Sequence, residues 1–116
     1  MALLFADVLQ EFCVKGKTGA LFAVVDQSID HMVRVYFEGG EILHLSCGPV
    51  KGKECLEQFD RYNFGMAVFL NGMKPPRILD NDLPMTSNVI SMVKSTGKTI
   101  RGIEFTERGK IIRNAP

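Results

Sequence analysis

Two runs of alternating apolar residues, one on each side of Gly39-Gly40, constrain the fold more than any other feature of this chain. Side chains of a β-strand point alternately to its two faces, and a glycine pair between two such runs is typical of a β-hairpin. We therefore predict that residues 31–38 and 41–47 form two antiparallel strands. One face of the first strand then carries Val33, Val35 and Phe37.

The length of the hairpin loop decides which residues pair. A two-residue loop would place the apolar rows of the two strands on opposite faces of the sheet, because a shift of one residue exchanges the faces. A three-residue loop, Glu38-Gly39-Gly40 or one position later, keeps both rows on one face. Because burial selects the register, we predict the longer loop, with a glycine in the left-handed conformation and a bulge. The predicted pairs are Phe37 with Leu43, Val35 with Leu45, and Val33 with Cys47.

Helical and strand-like patterns surround this hairpin. Apolar residues at helical spacing predict helices over residues 3–15 and 52–62. Residues 19–26 are nearly all apolar, which predicts a strand covered on both faces, and residues 66–70 form a fourth strand. Glycine, proline and asparagine make residues 71–85 a loop.

The end of the chain has weaker patterns. Ser87 begins a short third helix that Gly97 closes. Ile100–Phe105 and Lys110–Arg113 then form a terminal hairpin with its turn at Arg108-Gly109. Helices and strands do not strictly alternate along the chain. We therefore predict the α+β class, with an antiparallel sheet (a three-stranded meander plus a fourth strand) packed with two or three helices.

Length and charge limit the function. The 116 residues correspond to a single domain, and no apolar run approaches the roughly 18 residues of a membrane span. The apolar stretch that begins at Met1 meets Asp7 too soon for a signal peptide, so we expect a cytoplasmic protein that does not bind a membrane. The net charge of +1 argues against a nucleic-acid partner, although six of the fourteen basic residues lie in 94–116.

The sequence lacks a recognisable catalytic or metal-binding motif. Its three cysteines are an odd number and favour free, packed thiols over a disulfide framework. His44 and Cys47 are three apart on a predicted strand and point to opposite faces, so they cannot share a metal ion or act as a Cys–His pair. We predict no catalytic residue, no metal and no cofactor, and we do not expect an enzyme.

The best binding candidate is the other face of the predicted hairpin. The predicted register places Tyr36 opposite His44, and Arg34 opposite Ser46. We predict that Arg34, Tyr36 and His44 bind a protein partner. Met32 and Ile42 lie on the same predicted face and favour a partner contact. The alternative is an ordinary solvated face of an antiparallel sheet.

Five short motifs follow one another in a fixed order and spacing over residues 3–70. They are Lys17-Thr18-Gly19-Ala20-Leu21, Val35-Tyr36-Phe37-Glu38-Gly39-Gly40, Ile42-Leu43-His44-Leu45, Gly52-Lys53-Glu54-Cys55-Leu56 and Phe64-Gly65-Met66-Ala67-Val68-Phe69. This order resembles the bacterial domain of unknown function 4388, the PATAN-like group. The chain departs from that pattern at Ser46-Cys47 and at Cys55, where alanine is usual. Residues 1–70 thus form the family-like core, and residues 71–116 have no counterpart in the pattern.

The resemblance implies a non-enzymatic protein-interaction or signalling module of a bacterial regulatory system. Its partners would be a receiver domain, a small GTPase or a motility component, and we also expect a homo-oligomer. A small-molecule or nucleotide-binding regulatory domain remains the alternative. In that case the ligand would bind near Gly48–Lys53, where backbone amides, Lys51 and Lys53 could meet an anion.

Overall fold

The amphipathic segments in the described part of the chain pack as two layers, with three helices against one face of a β-sheet. The structure is a computed structural model that describes residues 2–26, 31–74, 82–107 and 110–113, with the backbone alone at 107 and 110–113. The helices are α1 (Phe5–Val14), α2 (Gly52–Gln58) and α3 (Thr86–Thr96), and a 3-10 turn (Phe59–Arg61) continues α2. This arrangement confirms the predicted α+β class. None of the helices in these residues is long and apolar enough to cross a membrane.

Among the described residues, seven strands form the main sheet, in the order β5-β4-β3-β2-β6-β8-β9, and two more form a small separate sheet. The strands of the main sheet are β2 (Gly19–Val25), β3 (Met32–Glu38), β4 (Glu41–Cys47), β5 (Val50–Lys51), β6 (Phe64–Asn71), β8 (Gly102–Glu107) and β9 (Lys110–Arg113). The small sheet pairs β1 (Leu3–Leu4) with β7 (Thr99–Ile100).

The predicted three-stranded meander is present as β2, β3 and β4, and the fourth strand, β6, pairs antiparallel with β2. Strand β8 pairs with β6 in parallel, a geometry that needs a crossover connection, and α3 lies in that connection. The sheet is therefore mixed, although antiparallel pairs dominate it. The terminal hairpin is present as the antiparallel pair β8 and β9, and its predicted turn at Arg108-Gly109 lies outside the described residues.

Phenylalanine rings fill the space between helices and sheet. The ring of Phe12, on α1, stacks on Phe69 with centroids 4.4 Å apart and meets Phe37 edge-on at 5.5 Å. Phe5, at the start of α1, packs edge-on against Phe59 and Phe64 at 5.1 and 5.0 Å. Offset and edge-on contacts are the favourable geometries for aromatic pairs. Helix α1 is thus held over the centre of the sheet.

The hairpin turn differs from the prediction. The loop has two residues, Gly39 and Gly40, with φ of +57° and +86°, and Phe37 pairs with Ile42. The register then shifts by one residue, so that Val35 pairs with Leu45 as predicted. The predicted three-residue loop and the pairing of Phe37 with Leu43 are therefore wrong. The extra residue is absorbed inside β4 as a bulge, since two positive φ angles suit the two-residue turn.

The bulge also reverses two burial expectations. Ile42, expected on the outer face, is 5% exposed and belongs to the core. Leu43, expected in the buried row, is half-buried. Beyond the bulge the alternation is restored, and Leu45 and Cys47 lie in the core as predicted. The bulge therefore changes the positions of Ile42 and Leu43 and leaves the pairing from His44 to Cys47 as predicted.

Candidate functional site

The face of the sheet opposite the helices has no helix packed on it within the described part of the chain. The core residues of α1, α2 and α3 all cluster with the inward side chains of the strands. Alternation along each strand assigns the remaining side chains to the other face, which we call the open face. It comprises Ala20, Phe22 and Val24 of β2, Met32, Arg34 and Tyr36 of β3, His44 and Ser46 of β4, Met66, Val68 and Leu70 of β6, and Gly102, Glu104 and Thr106 of β8.

The open face is largely apolar. Val24 and Met66 are 44% and 43% exposed, and Phe22, Val68 and Leu70 are half-buried without a covering layer among the described residues. On β2 itself, Ala20 of this face is fully buried whereas Val24 is exposed, so the prediction that β2 is covered on both faces holds for only part of the strand. An apolar run in a central strand indicates that both faces avoid water, but a partner molecule can cover one of them as well as a helix can.

The three predicted site residues lie on this face. Tyr36 pairs with His44, and their rings meet edge-on with centroids 5.4 Å apart. On its other side Tyr36 contacts Phe22 at 6.1 Å. Arg34 is exposed and pairs with Ser46, as the predicted register requires. His44 is only 7% exposed, so Arg34 and Tyr36 present more surface to a partner than His44 does.

Sequence reasoning missed most of this face. Four residues form one straight row across four strands, because Arg34 pairs with Phe22, Phe22 with Val68, and Val68 with Glu104. The registers continue this row through Ser46 to Lys51 on one side and to Arg113 on the other, so a basic residue stands at each end of it. Only Arg34 in this row was a predicted site residue. The rest of the row could be found only from the pairing of β8 with β6, which local sequence patterns do not reveal.

The Lys17-Thr18-Gly19 segment holds turns of the sheet. The Gly39 N–H donates to Thr18 Oγ1 at 2.9 Å, and the Gly40 N–H donates to the Lys17 carbonyl at 3.0 Å. A Cβ at Gly19 would collide with the backbone of β6 and the Phe69 ring. These residues therefore serve the packing of the hairpin, which explains their spacing without any ligand.

The thiols lie apart from one another. Cys47 and Cys55 are buried, and Cys47 belongs to the core, on the side of the sheet opposite His44. Burial of the thiol is the main effect that raises the pKa of Cys13, and the negative charge of the Glu41 carboxylate raises it further. Within the described residues, groups of three or more metal-ligating side chains are absent.

The predicted anion site near Gly48–Lys53 is already faced by a carboxylate. Gly52, the first residue of α2, has a φ of +61°, and a side chain there would collide with the carboxylate of Asp82. Lys51 and Lys53 are exposed and point away from the core. An internal anion at this point of the helix disfavours the binding of a second one.

A cavity of about 390 Å³ lies elsewhere, between α1 and β8. Its floor is apolar and includes Val8, Phe12 and Ile103. Charged residues of both signs surround it, among them Glu11 and Lys15, which form an exposed ion pair of 2.8 Å. This volume is at the lower end of the range for small-molecule sites.

Comparison of the chain with protein-family models, with curated proteins and with solved structures finds no significant match.

Proposed function

We propose that this chain is a non-enzymatic protein-interaction module that binds a protein partner through the open face of its sheet. The observation that supports this proposal is the apolar surface built from β3, β2 and β6, on which Val24 and Met66 are exposed and no helix packs within the described residues. Apolar and aromatic side chains with an arginine at the margin are the composition of many protein interfaces. Arg34, Tyr36 and His44 belong to this surface, and we assign them to partner binding.

The resemblance to the PATAN-like group supplies the setting of the proposal. It implies a signalling module of a bacterial regulatory system, located in the cytoplasm, whose partner is a receiver domain, a small GTPase or a motility component. The fold is compatible with such a role, because a rigid two-layer scaffold offers one flat face for docking.

The proposal is tested with one chemical change at two exposed valines. Val24 is 44% exposed on the open face, whereas Val14 is 74% exposed at the end of α1. We expect Val24→Asp to weaken association, both between copies of the chain and with candidate receiver domains, because a carboxylate in an apolar interface loses its hydration. Val14→Asp is the matched control and should leave association unchanged.

Association is measured by sedimentation velocity and by pull-down with purified candidate domains, after circular dichroism has shown that both variants are folded. If every association survives Val24→Asp at wild-type strength, the open face is not the binding surface and the proposal fails.

Small-molecule binding is a second candidate, and the cavity between α1 and β8 favours it. A ligand at a hundred times its Kd would stabilise the fold by about 2.7 kcal/mol, which a thermal-shift screen with nucleotides and metabolites detects. Phe12 and Val8 line the cavity but also pack in the core, so the better variant is Asp7→Lys, at an exposed residue of the cavity lining. A screen in which no compound raises the melting temperature rejects this candidate.

A further inference from the structure

We propose that the cavity between α1 and β8 binds a short linear peptide with free ends, its amino group at Asp7 and its carboxylate at Lys17. The apolar side chains of the peptide lie on the cavity floor between these two residues. This inference rests on the second candidate function, because it names the class of ligand for the same cavity, and it does not involve the open face. It comes from the placement of charges around an apolar floor.

The cavity follows the length of α1. Phe5, at the start of this helix, packs on Phe64 at the start of β6, whereas Phe12 stacks on Phe69 near the end of that strand. Helix α1 therefore runs in the same direction as β6. Strand β8 is parallel to β6 and pairs Phe105 with Phe69. One end of the cavity thus lies at the first turn of α1, and the other end lies at its last turn.

An acidic side chain lies at the first end and a basic one at the second. Asp7 is in the first turn of α1 and is exposed. Lys17 follows the helix, and its backbone N–H donates to the Phe12 carbonyl at 3.0 Å, while its own carbonyl accepts from the Gly40 N–H at 3.0 Å. These two bonds hold the backbone of Lys17 beside the last turn of α1. Both side chains line the cavity, and Lys17 is half-buried.

The charges at the two ends are available to a ligand. Within the part of the chain that the structure describes, the side chains of Asp7 and Lys17 make no ion pair and no hydrogen bond. In contrast, Glu11 and Lys15, which also line the cavity, form an ion pair of 2.8 Å with each other. A complementary ligand therefore has one positive end and one negative end.

This charge pattern disfavours a polyanion such as a nucleotide. One phosphate group would be attracted by Lys17, but further negative charges would lie towards Glu11 and Asp7 and be repelled. The helix dipole alone would favour the opposite orientation of the ligand, because it places about half a positive charge at the start of α1 and half a negative charge at its end. The full charges of Asp7 and Lys17 exceed these half charges, so they determine the orientation.

The length of the cavity fits a peptide of three or four residues. The helical rise from Asp7 to Lys15 is about 12 Å, at about 1.5 Å per residue. An extended peptide spans about 3.3 Å per residue, so three or four residues reach from one end to the other, whereas a single amino acid does not. The floor of Val8, Phe12 and Ile103 suits apolar side chains. The exposed rim keeps the amide groups of the peptide in contact with water, which avoids the cost of burying them.

An NMR titration of the full chain with three forms of tri-leucine tests each end separately. The forms have both ends free, an acetylated amino end, or an amidated carboxyl end. We expect the free form to shift amide signals of α1 and β8, and each capped form to bind roughly two- to fivefold more weakly, as for an exposed ion pair. Because the caps act on the ligand, this comparison needs only the wild-type chain.

Two variants assign the ends to residues, after circular dichroism has shown that they are folded. Asp7→Asn should weaken binding of the free and amidated peptides but not of the acetylated one, which has no charged amino group. Lys17→Gln should weaken binding of the free and acetylated peptides but not of the amidated one. Asp60→Asn, at an exposed acid next to α2, is the matched control and should leave all three unchanged.

Each outcome supports or overturns a defined part of the inference. Tri-leucine that binds equally well with either end capped, or that shifts no signal in the millimolar range, overturns the peptide. A dependence on the caps that both variants leave unaltered overturns the assignment to Asp7 and Lys17. If another compound raises the melting temperature and Asp7→Lys abolishes that effect while no peptide binds, the cavity is a ligand site and the proposed class of ligand is wrong. Val24→Asp tests the open face alone, so the two proposals fail separately.

Discussion

Thr18 accepts a hydrogen bond at each of two atoms, and each bond holds a different turn of the sheet. Its Oγ1 accepts from the Gly39 N–H at 2.9 Å, and its carbonyl oxygen accepts from the Gly72 N–H at 2.8 Å. The first turn joins β3 to β4, and the second follows β6. A polar residue in a short motif is therefore explained here by the backbone N–H groups of two exposed turns, to which it provides partners.

Cys13 gives a prediction at the same scale, through the pH dependence of its reaction with iodoacetamide. Burial and the nearby Glu41 carboxylate favour the neutral thiol, so the pKa of Cys13 is raised in the folded chain. Alkylation needs the thiolate. We expect the native chain to reach half its maximal rate at a higher pH than the urea-unfolded chain, as measured by peptide mass spectrometry.

The raised pKa of Cys13 also makes the stability of the fold depend on pH. The stabilisation from a neutral Cys13 is complete below the ordinary thiol pKa of about 8.5 and is lost as the pH rises through the raised value in the fold. Cys13→Ala should therefore remove part of the loss of stability at alkaline pH. A native alkylation profile at or below the unfolded one would contradict the raised pKa.

At the scale of an element, the β3–β4 hairpin depends on two glycines that differ in their surroundings. Both have positive φ, as a two-residue hairpin turn requires. A Cβ at Gly39 would meet nothing within 4 Å, whereas a Cβ at Gly40 would lie 2.5 Å from the Cys13 carbonyl oxygen. Gly40 thus joins the hairpin turn to the end of α1.

This contrast predicts two different losses of stability. Gly39→Ala should cost about 1 kcal/mol, the penalty of a left-handed conformation for a residue with a Cβ. Gly40→Ala should cost about 3 kcal/mol, because the clash with Cys13 adds to that penalty. Urea unfolding of the two variants measures the difference. Equal free energies of unfolding would show that Gly40 has no close contact with α1.

Elements with a strong local pattern could be predicted from the sequence, and elements defined by distant partners could not. Helix α1 and the pairs Val35–Leu45 and Val33–Cys47 follow from the spacing of apolar residues. The bulge at Leu43 could not be predicted in this way. An extra residue gives the same strand pairing farther along whether it lies in the loop or inside the strand. The burial of the apolar rows therefore predicted the correct pairing of Val35 and Val33 but the wrong length of the hairpin loop.

The open face was predictable only in part for the same reason. The residues of β3 and β4 that face outward follow from alternation, so Arg34, Tyr36 and His44 could be found. The part of the face at Glu104 needs the parallel pairing of β6 with β8, which forms across a connection that contains α3. Contacts between segments far apart in the chain leave no local periodicity to detect.

At the scale of the whole molecule, residues 82–107 complete the core that residues 2–74 begin. Val89 and Val93 of α3 are 0% and 1% exposed, and Ile100 is 0% exposed. The Phe5 N–H at the start of α1 donates to the Lys98 carbonyl at 2.9 Å. The first part of the chain is thus packed tightly against the part that follows residue 82.

This packing predicts that residues 1–74 alone do not form the native structure. Removal of the rest exposes the α1 and α2 surfaces that α3 covers and leaves β6 as a bare edge, which promotes aggregation. Far-UV circular dichroism and urea unfolding of this fragment should show no cooperative transition. The full chain with Val93→Ala is the matched control: it should unfold cooperatively with a loss of about 2 kcal/mol, from two missing methyl groups and the cavity they leave. A fragment that unfolds cooperatively would instead show that residues 1–74 hold a self-sufficient core, with α3 and β8 docked on its surface.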